Sequence, residues 1–154
     1  MRPTRARLLA VLAVVGGAVG WSLTTLVDAF ANRTLPVPWT AAVAMLVLAA
    51  ALALWARGTR ARLTRKPGTT PMDPVVAARS AALAMAASRT GALVAGFYAG
   101  VAVALAPSWD LGSMRTRIVV ALLTVLTAGL VVAAGLWLEH VCRVPPDSSD
   151  EPTP

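Results

Sequence analysis

Few side chains in this chain of 154 residues could do chemistry, and they are scattered. There is one histidine, His140, and one cysteine, Cys142, so no thiolate metal cluster and no intramolecular disulfide can form. The carboxylates outside the last eleven residues are Asp28, Asp73, Asp110 and Glu139. These four are dispersed along the chain, and none is spaced with another to hold a magnesium ion or to act as an acid–base pair. We therefore predict no catalytic residue, no metal and no cofactor, and a protein that is not an enzyme.

The composition indicates a membrane protein. Hydrophobic residues make up 57% of the chain and charged residues 14%, and the mean hydropathy is +0.69. A soluble domain carries roughly a quarter charged residues. The net charge of +7 does not indicate nucleic acid binding, because the basic residues lie between apolar runs without interleaved aromatic or polar groups that could stack on bases or read them.

Four apolar runs predict an all-α polytopic membrane protein, a bundle of four transmembrane helices. The predicted spans are residues 8–30, 39–56, 80–106 and 118–138, within a domain of residues 1–143. About 20 residues at helical rise cross a hydrocarbon core of about 30 Å. We predict that the third helix begins at Asp73-Pro74 and ends before Pro107, that the polar segment 57–70 ends the second span, and that residues 144–154 are a disordered acidic tail.

The first span has an alternative interpretation as a secretory signal peptide. Ala29-Phe30-Ala31 has the small-x-small form of a cleavage site. The apolar run that precedes it is longer than the roughly 7–15 residues of a signal-peptide core. An uncleaved membrane anchor is therefore the favoured interpretation.

The distribution of lysine and arginine predicts the orientation. One side of the membrane would hold Arg2, Arg5, Arg7, Arg57, Arg60, Arg62, Arg65, Lys66, Arg79 and Arg143. The opposite side would hold only Arg33, Arg115 and Arg117. Because positive charge is retained in the cytoplasm, we predict a multi-pass protein of the bacterial plasma membrane with both termini cytoplasmic.

Two groups of ionisable residues invite functional hypotheses, because charge inside a membrane is costly. Arg89 and Glu139 are predicted at similar depth near the inner boundary, where they could form an ion pair; Arg89 could instead extend to lipid phosphates. At the outer face the predicted polar site consists of Asp28, Arg33, Arg115 and Arg117. Structural pairing is the favoured role of Asp28, with proton coupling as the alternative.

The basic segment between the second and third spans is predicted to contact anionic lipid headgroups as well as to set the topology. Its cations are Arg57, Arg60, Arg62, Arg65 and Lys66. Four glycines have the spacing typical of close helix packing, namely Gly16, Gly20, Gly96 and Gly100. They could pack helices within one chain, which we favour, or form a homodimer.

Several segments of the chain resemble one actinobacterial family of small membrane proteins known only as a domain of unknown function. They are MRPTRAR (1–7), GWSLTTLVD (20–28), LPVPW (35–39), MDP (72–74), GFYAG (96–100) and GLWLEHVCRVPP (135–146). The resemblance implies four spans and no established activity, and therefore transfers no catalytic residue. It also implies genes that often lie beside those for folate-pathway pterin enzymes.

The preferred functional prediction is a non-enzymatic accessory or scaffold subunit of a membrane or envelope complex. The expected partners are the lipid bilayer, its anionic headgroups, and another membrane protein or a second copy of the chain, with no nucleic acid. The alternative is a small oligomeric transporter or channel that uses Asp28 or Arg89.

Overall fold

The structure, a computed structural model, describes residues 6–31, 38–63 and 74–141, and the regular structure of these residues is all helical. Helix α1 spans Ala6–Ala31, α2 Trp39–Leu63, α3 Pro74–Leu105 and α4 Gly112–Val141, with a short 3-10 helix at Ala106–Ser108 before α4. Four helical stretches are long and apolar enough to cross a membrane. They are Ala6–Phe30 in α1, Trp39–Gly58 in α2, Ala82–Ser108 in α3 and the 3-10 helix after it, and Gly112–His140 in α4. The prediction of four apolar helices is confirmed.

Proline defines both ends of α3. The helix begins at Pro74, as predicted, since proline is well suited to the first helical position. It ends at Leu105, because Pro107 has no N–H to donate and its ring clashes with the preceding turn. The chain then turns through the 3-10 helix, in which the Trp109 N–H donates to the carbonyl oxygen of Ala106 at 3.2 Å.

Two predicted boundaries differ from the observed ones. Helix α2 continues to Leu63, so the first part of the polar segment 57–70, which was predicted to end the second span, is still helical. Arginine, alanine and leucine favour helix, and loss of apolar character ends a span without ending the helix. Helix α4 begins at Gly112, six residues before predicted position 118, because the Leu111 carbonyl accepts the N–H groups of Met114 and Arg115 and so starts its first turn.

The four helices form a row in the order α1–α3–α4–α2. Extensive contacts join α1 with α3, α3 with α4, and α4 with α2. In an apolar window of 18 residues, 39% of the residues are buried in each of the two central helices and only 17% in each of the two edge helices. Helices α3 and α4 therefore lie at the centre of the four-helix bundle, which is an open row with α1 and α2 at its edges.

Glycine allows α1 and α3 to approach until their backbones touch. A Cβ atom added to Gly96 would overlap the Ala13 carbonyl, and one added to Gly100 would overlap the Gly17 carbonyl. A Cβ on Gly20 would overlap the backbone of Phe97 in the same way. Residue numbers rise together along the two helices, so they run parallel. The glycines predicted for packing therefore lie at a contact within one chain.

The contact of α3 with α4 also depends on small residues. A Cβ on Gly91 would lie 3.2 Å from the Ala128 carbonyl oxygen, and one on Gly135 would lie 3.0 Å from that of Ala84. Two hydroxyls are fully buried in these helices, and both donate to backbone carbonyls of their own helix, which satisfies them without a polar partner elsewhere. They are Ser88, bonded to Met85 at 3.1 Å, and Thr124, bonded to Val120 at 2.9 Å.

Helix α2 joins the row through one apolar cluster. Its buried members from α2 are Ala49, Leu52 and Ala56, and those from α3 and α4 are Ala84, Val131, Ala134 and Leu138. A second, smaller cluster packs the opposite end of the α3–α4 contact, with Val101, Leu105 and Ile118 buried. The row is thus held by alanine and glycine where helices meet, with large apolar side chains on its exposed surfaces.

Candidate functional site

A polar cavity lies at the end of the molecule where α1 and α3 finish and α4 begins. Thr24, Thr25 and Asp28 occupy the last two turns of α1 before its end at Ala31. Residues three or four apart share one face of a helix, so Thr24 and Asp28 point the same way. The stop that Pro107 imposes on α3 brings Ser108 to the same place. The site therefore arises from two helix ends and the turn after α3.

The cavity has a volume of about 250 Å³ and its surface is half polar and half apolar. Its polar lining consists of Thr24, Thr25, Asp28 and Ser108. Its apolar lining consists of Ala104, Leu105, Leu111 and Met114. A water molecule occupies about 30 Å³ in the liquid, so the cavity has room for several waters or one small organic group.

The two threonine hydroxyls of the lining already donate their protons. The Thr24 hydroxyl, which is buried, donates to the carbonyl oxygen of Gly20 at 2.8 Å. The Thr25 hydroxyl lies within hydrogen-bonding distance of the carbonyl oxygens of Trp21 and Ser22, at 3.1 and 3.0 Å. A hydroxyl has one proton and two lone pairs, so both groups are left to accept hydrogen bonds.

Asp28 lies where the ends of three helices meet. The C-terminal end of a helix carries partial negative charge from its unpaired carbonyls. Helices α1 and α3 run parallel and both end beside this cavity, and α4 begins beside it, so Asp28 lies near two negative helix ends and one positive helix end.

Three members of the predicted outer-face site lie at the same end of the molecule, and their pairing stays a prediction. Asp28 lines the cavity, and Arg115 and Arg117 lie in the first turns of α4. The guanidinium carbon of Arg115 lies 5.7 Å from the centroid of the Trp109 ring, a distance at which a cation is attracted to the ring face. Arg117 is half-buried and takes part in a polar or ring interaction. Arg33 lies outside the described residues, so its part in this site stays a prediction.

Arg89 and Glu139 lie at different levels of the α3–α4 contact. Gly135 faces Ala84, and continuing this antiparallel pairing by one turn places Glu139 level with Ser80. The same pairing places Arg89 level with residues 130–134, which is roughly 7–14 Å along the helix axis from Glu139. Glu139 is buried and Arg89 is exposed. The ion pair between them stays a prediction.

The basic segment is partly described. Arg57 is exposed, and the backbone positions of Arg60 and Arg62 lie on the last turns of α2. Arg65, Lys66 and Cys142 lie outside the described residues. Within the described part of the chain, no three histidine, cysteine or carboxylate side chains are grouped so that they could hold a metal ion.

Sequence reasoning singled out Asp28 but missed most of the cavity. Thr24, Thr25 and Ser108 were not predicted as site residues, although the spacing of Thr24 and Asp28 by four positions was available as a signal. Met114 and Leu111 carried no such signal, because they precede the predicted fourth span and became part of the site through the early start of α4.

Comparisons with known proteins assign the chain to a family but not to an activity. No curated protein and no solved structure matches it. One family model, described as a protein of unknown function (DUF3180), matches residues 9–146. This match covers all four apolar helices and the turn between α3 and α4 that forms the cavity. The chain therefore belongs to the DUF3180 family of proteins of unknown function, as a member with four helices able to span a membrane.

Proposed function

We propose that this chain is a non-enzymatic accessory or scaffold subunit of a membrane or envelope complex. The observation that carries the proposal is the open row of helices, in which α1 and α2 each pack extensively against one neighbour. Their large apolar side chains are exposed along the spans, for example Val14 at 71%, Val47 at 63% and Leu54 at 65%. Another membrane protein can therefore pack against either edge without disturbing the contacts within the chain.

The edge helices are also chemically suited to lateral contact. Association in lipid depends on close van der Waals packing rather than on the hydrophobic effect, so small residues favour it. Exposed alanines lie on α1 and α2 among the larger residues, including Ala10 and Ala18 on α1 and Ala44 and Ala51 on α2. The few titratable side chains of the described residues are consistent with a role that requires no catalysis.

A pull-down tests this proposal. The tagged chain, extracted from its native membrane in a mild detergent, is expected to co-purify one specific membrane protein in a constant ratio. Substituting Ala44 by Trp on α2 should abolish the association if the partner packs on that edge, whereas Leu126→Trp on the exposed face of α4 is the matched control. Recovery of no specific protein by mass spectrometry would contradict an accessory role.

We propose that the protein lies in the bacterial plasma membrane with both termini in the cytoplasm. We also propose that it comes from an actinobacterium and that its gene lies beside genes for folate-pathway pterin enzymes. The support for the orientation is the excess of lysine and arginine at one end of the helices. Trp39 and Trp109 lie at the opposite end and Trp55 and Trp137 toward the basic end, as expected for indoles at two membrane interfaces. The basic segment from Arg57 to Lys66 would then lie on anionic headgroups, each cation contributing about 1 kcal/mol near the surface.

Reporter tags test the orientation. A tag inserted after Thr69 is expected in the cytoplasm, and one inserted after Arg33 on the outside. The reason is that ten basic residues would otherwise have to cross the membrane. Accessibility of each tag to a membrane-impermeant reagent in intact cells measures this. Finding both tags in the same compartment would contradict four membrane spans.

The cavity beside Asp28 favours a second candidate, a small oligomeric transporter or channel. A carboxylate at a cavity between helix ends is an arrangement that could bind a cationic solute. Flux into proteoliposomes that is lost in Asp28→Asn, with the protein still folded, would support this candidate. Flux that is unchanged in this variant would remove Asp28 from any transport path.

A further inference from the structure

We propose that the cavity lined by Thr24, Thr25, Asp28 and Ser108 binds the ammonium group of an alkylamine. This inference is independent of the accessory role, which concerns the outer faces of α1 and α2. It depends on three features of the cavity: what its polar groups can still bind, the charge of the helix ends around it, and the apolar half of its wall.

The polar lining mainly offers hydrogen-bond acceptors. The hydroxyl protons of Thr24 and Thr25 are directed at backbone carbonyls of α1. The lone pairs of these oxygens and the carboxylate oxygens of Asp28 therefore remain for a ligand. Acceptors bind donors, and an ammonium group supplies three N–H donors together with the charge that a carboxylate prefers.

The backbone around the cavity adds negative potential. Helices α1 and α3 are parallel and both finish here, so their partial negative ends lie near the space that Asp28 lines, while the partial positive end of α4 begins beside it. The two negative ends outnumber the positive one, and the Asp28 carboxylate adds a full negative charge. The cavity therefore favours a cation over an anion.

The apolar wall indicates that the ligand carries a short carbon chain. Leu105 is buried, and together with Ala104, Leu111 and Met114 it forms an apolar surface. An inorganic cation that keeps its hydration water would gain nothing from contact with this surface. The volume of about 250 Å³ is below the range of roughly 300–1,000 Å³ typical of drug-sized ligands. A two- or three-carbon amine suits both the size and the division of the lining into polar and apolar halves.

Such an ammonium group has two sources at a membrane surface. One is the headgroup of phosphatidylethanolamine, and the other is a free amine in solution. Arg115 follows the lining residue Met114 in the chain, at the same end of the molecule, and its charge would attract a phosphate attached to the bound ammonium. Being exposed, Arg115 is screened by water and salt from repelling a free amine.

A titration of the full chain tests the proposal. The protein, with ¹³C-labelled threonine methyl groups, is placed in phosphatidylglycerol nanodiscs and titrated with ethylammonium chloride. We expect saturable shifts of the Thr24 and Thr25 methyl signals. Asp28→Asn should weaken binding by roughly tenfold or more, because a charge-assisted hydrogen bond is lost. Asp28→Glu should retain binding, because it keeps the charge.

Asp110→Asn is the matched control. Asp110 is another exposed carboxylate at the same end of the molecule, but it does not line the cavity. This variant should bind ethylammonium like the unaltered protein. The proposal is overturned if sodium chloride at equal ionic strength gives the same shifts, if no saturable shift occurs, or if the two asparagine variants weaken binding equally.

The same titration in nanodiscs that contain phosphatidylethanolamine distinguishes the two sources. A lower apparent affinity for ethylammonium in these nanodiscs would show that the lipid headgroup already occupies the cavity. An unchanged affinity would assign the site to a free amine. Circular dichroism and nanodisc incorporation of each variant establish that it is folded before binding is compared.

Discussion

Replacing Gly96 by leucine is expected to separate α1 from α3 and to have the largest effect of any substitution considered. Even one added carbon would overlap the Ala13 backbone, and backbone cannot move aside as a flexible side chain can. Overpacking a well-packed contact costs about 1–3 kcal/mol, and we expect a loss above about 3 kcal/mol here. Equilibrium unfolding in mixed micelles with increasing dodecyl sulfate measures this loss.

Gly129→Leu is the control for this substitution. Gly129 lies in the spanning stretch of α4, but a Cβ atom there would meet nothing within 4 Å, so the same change should be nearly neutral. A finer comparison uses two glycines that lie three positions apart on α1, Gly17 and Gly20. Gly20→Ala should destabilise strongly, whereas Gly17→Ala places its Cβ in ordinary contact at 3.4 Å from the Gly96 carbonyl oxygen. Equal losses of stability in Gly20→Ala and Gly17→Ala would contradict the observed orientation of α1 against α3.

The same experiment separates the two roles considered for these glycines. If they hold one chain together, Gly96→Leu lowers the stability of the monomer at every protein concentration. If they mediated a homodimer, the loss would appear only where the dimer is populated, because dimer stability depends on concentration. The backbone contact between Gly96 and Ala13 within the chain predicts the first outcome.

Replacing Ala84 by leucine is expected to have the second largest effect, by disrupting the centre of the row. Ala84 is fully buried in the cluster that joins α2, α3 and α4, and its carbonyl is the atom that a side chain on Gly135 would press against. Three extra carbons must therefore push α4 away from α3. We expect a loss of about 1–3 kcal/mol or more, measured by the same unfolding experiment.

Ala86→Leu is the matched control for Ala84→Leu. It lies two positions along α3 and is exposed, so the larger side chain would face lipid or a partner. Leucine in a membrane span is favourable by roughly 0.3–0.6 kcal/mol on the insertion scale, so this variant should be neutral or slightly stabilised. If Ala86→Leu were as harmful as Ala84→Leu, the assignment of the α3 faces would be wrong.

The arrangement of the helices determines which residues can be substituted without loss of folding when the proposed function is tested. The faces of α1 and α2 that point away from the row have few internal contacts, so substitutions there report on partners rather than on folding. Asp28 is similarly exposed, and its replacement by asparagine removes a charge from the cavity without removing a packing contact. Loss of binding in that variant can then be attributed to chemistry.

The four helices themselves were determined by local sequence. Backbone N–H and C=O groups cannot be left unpaired in hydrocarbon, so a long apolar run has to become a helix whatever it packs against. Pro74 and Pro107 set the ends of α3 through their own covalent geometry, and both boundaries were predictable. Helices α2 and α4 extend beyond the predicted spans, past Arg57 and before residue 118, where polarity changes but no residue stops a helix.

The order of the helices and the identity of the site were decided only by the tertiary structure. Apolar residues surround each helix on all sides, because lipid and protein neighbours both accept them, so the sequence pattern does not reveal which face meets which helix. The glycine spacing predicted close packing, but only the structure shows which backbone each glycine meets. Gly16 and Gly20 lie against the α3 backbone at Leu93 and Phe97, and Gly96 and Gly100 lie against the α1 backbone at Ala13 and Gly17. The cavity at Asp28 likewise exists because two parallel helices end at one level, a coincidence in space that no local stretch of residues encodes.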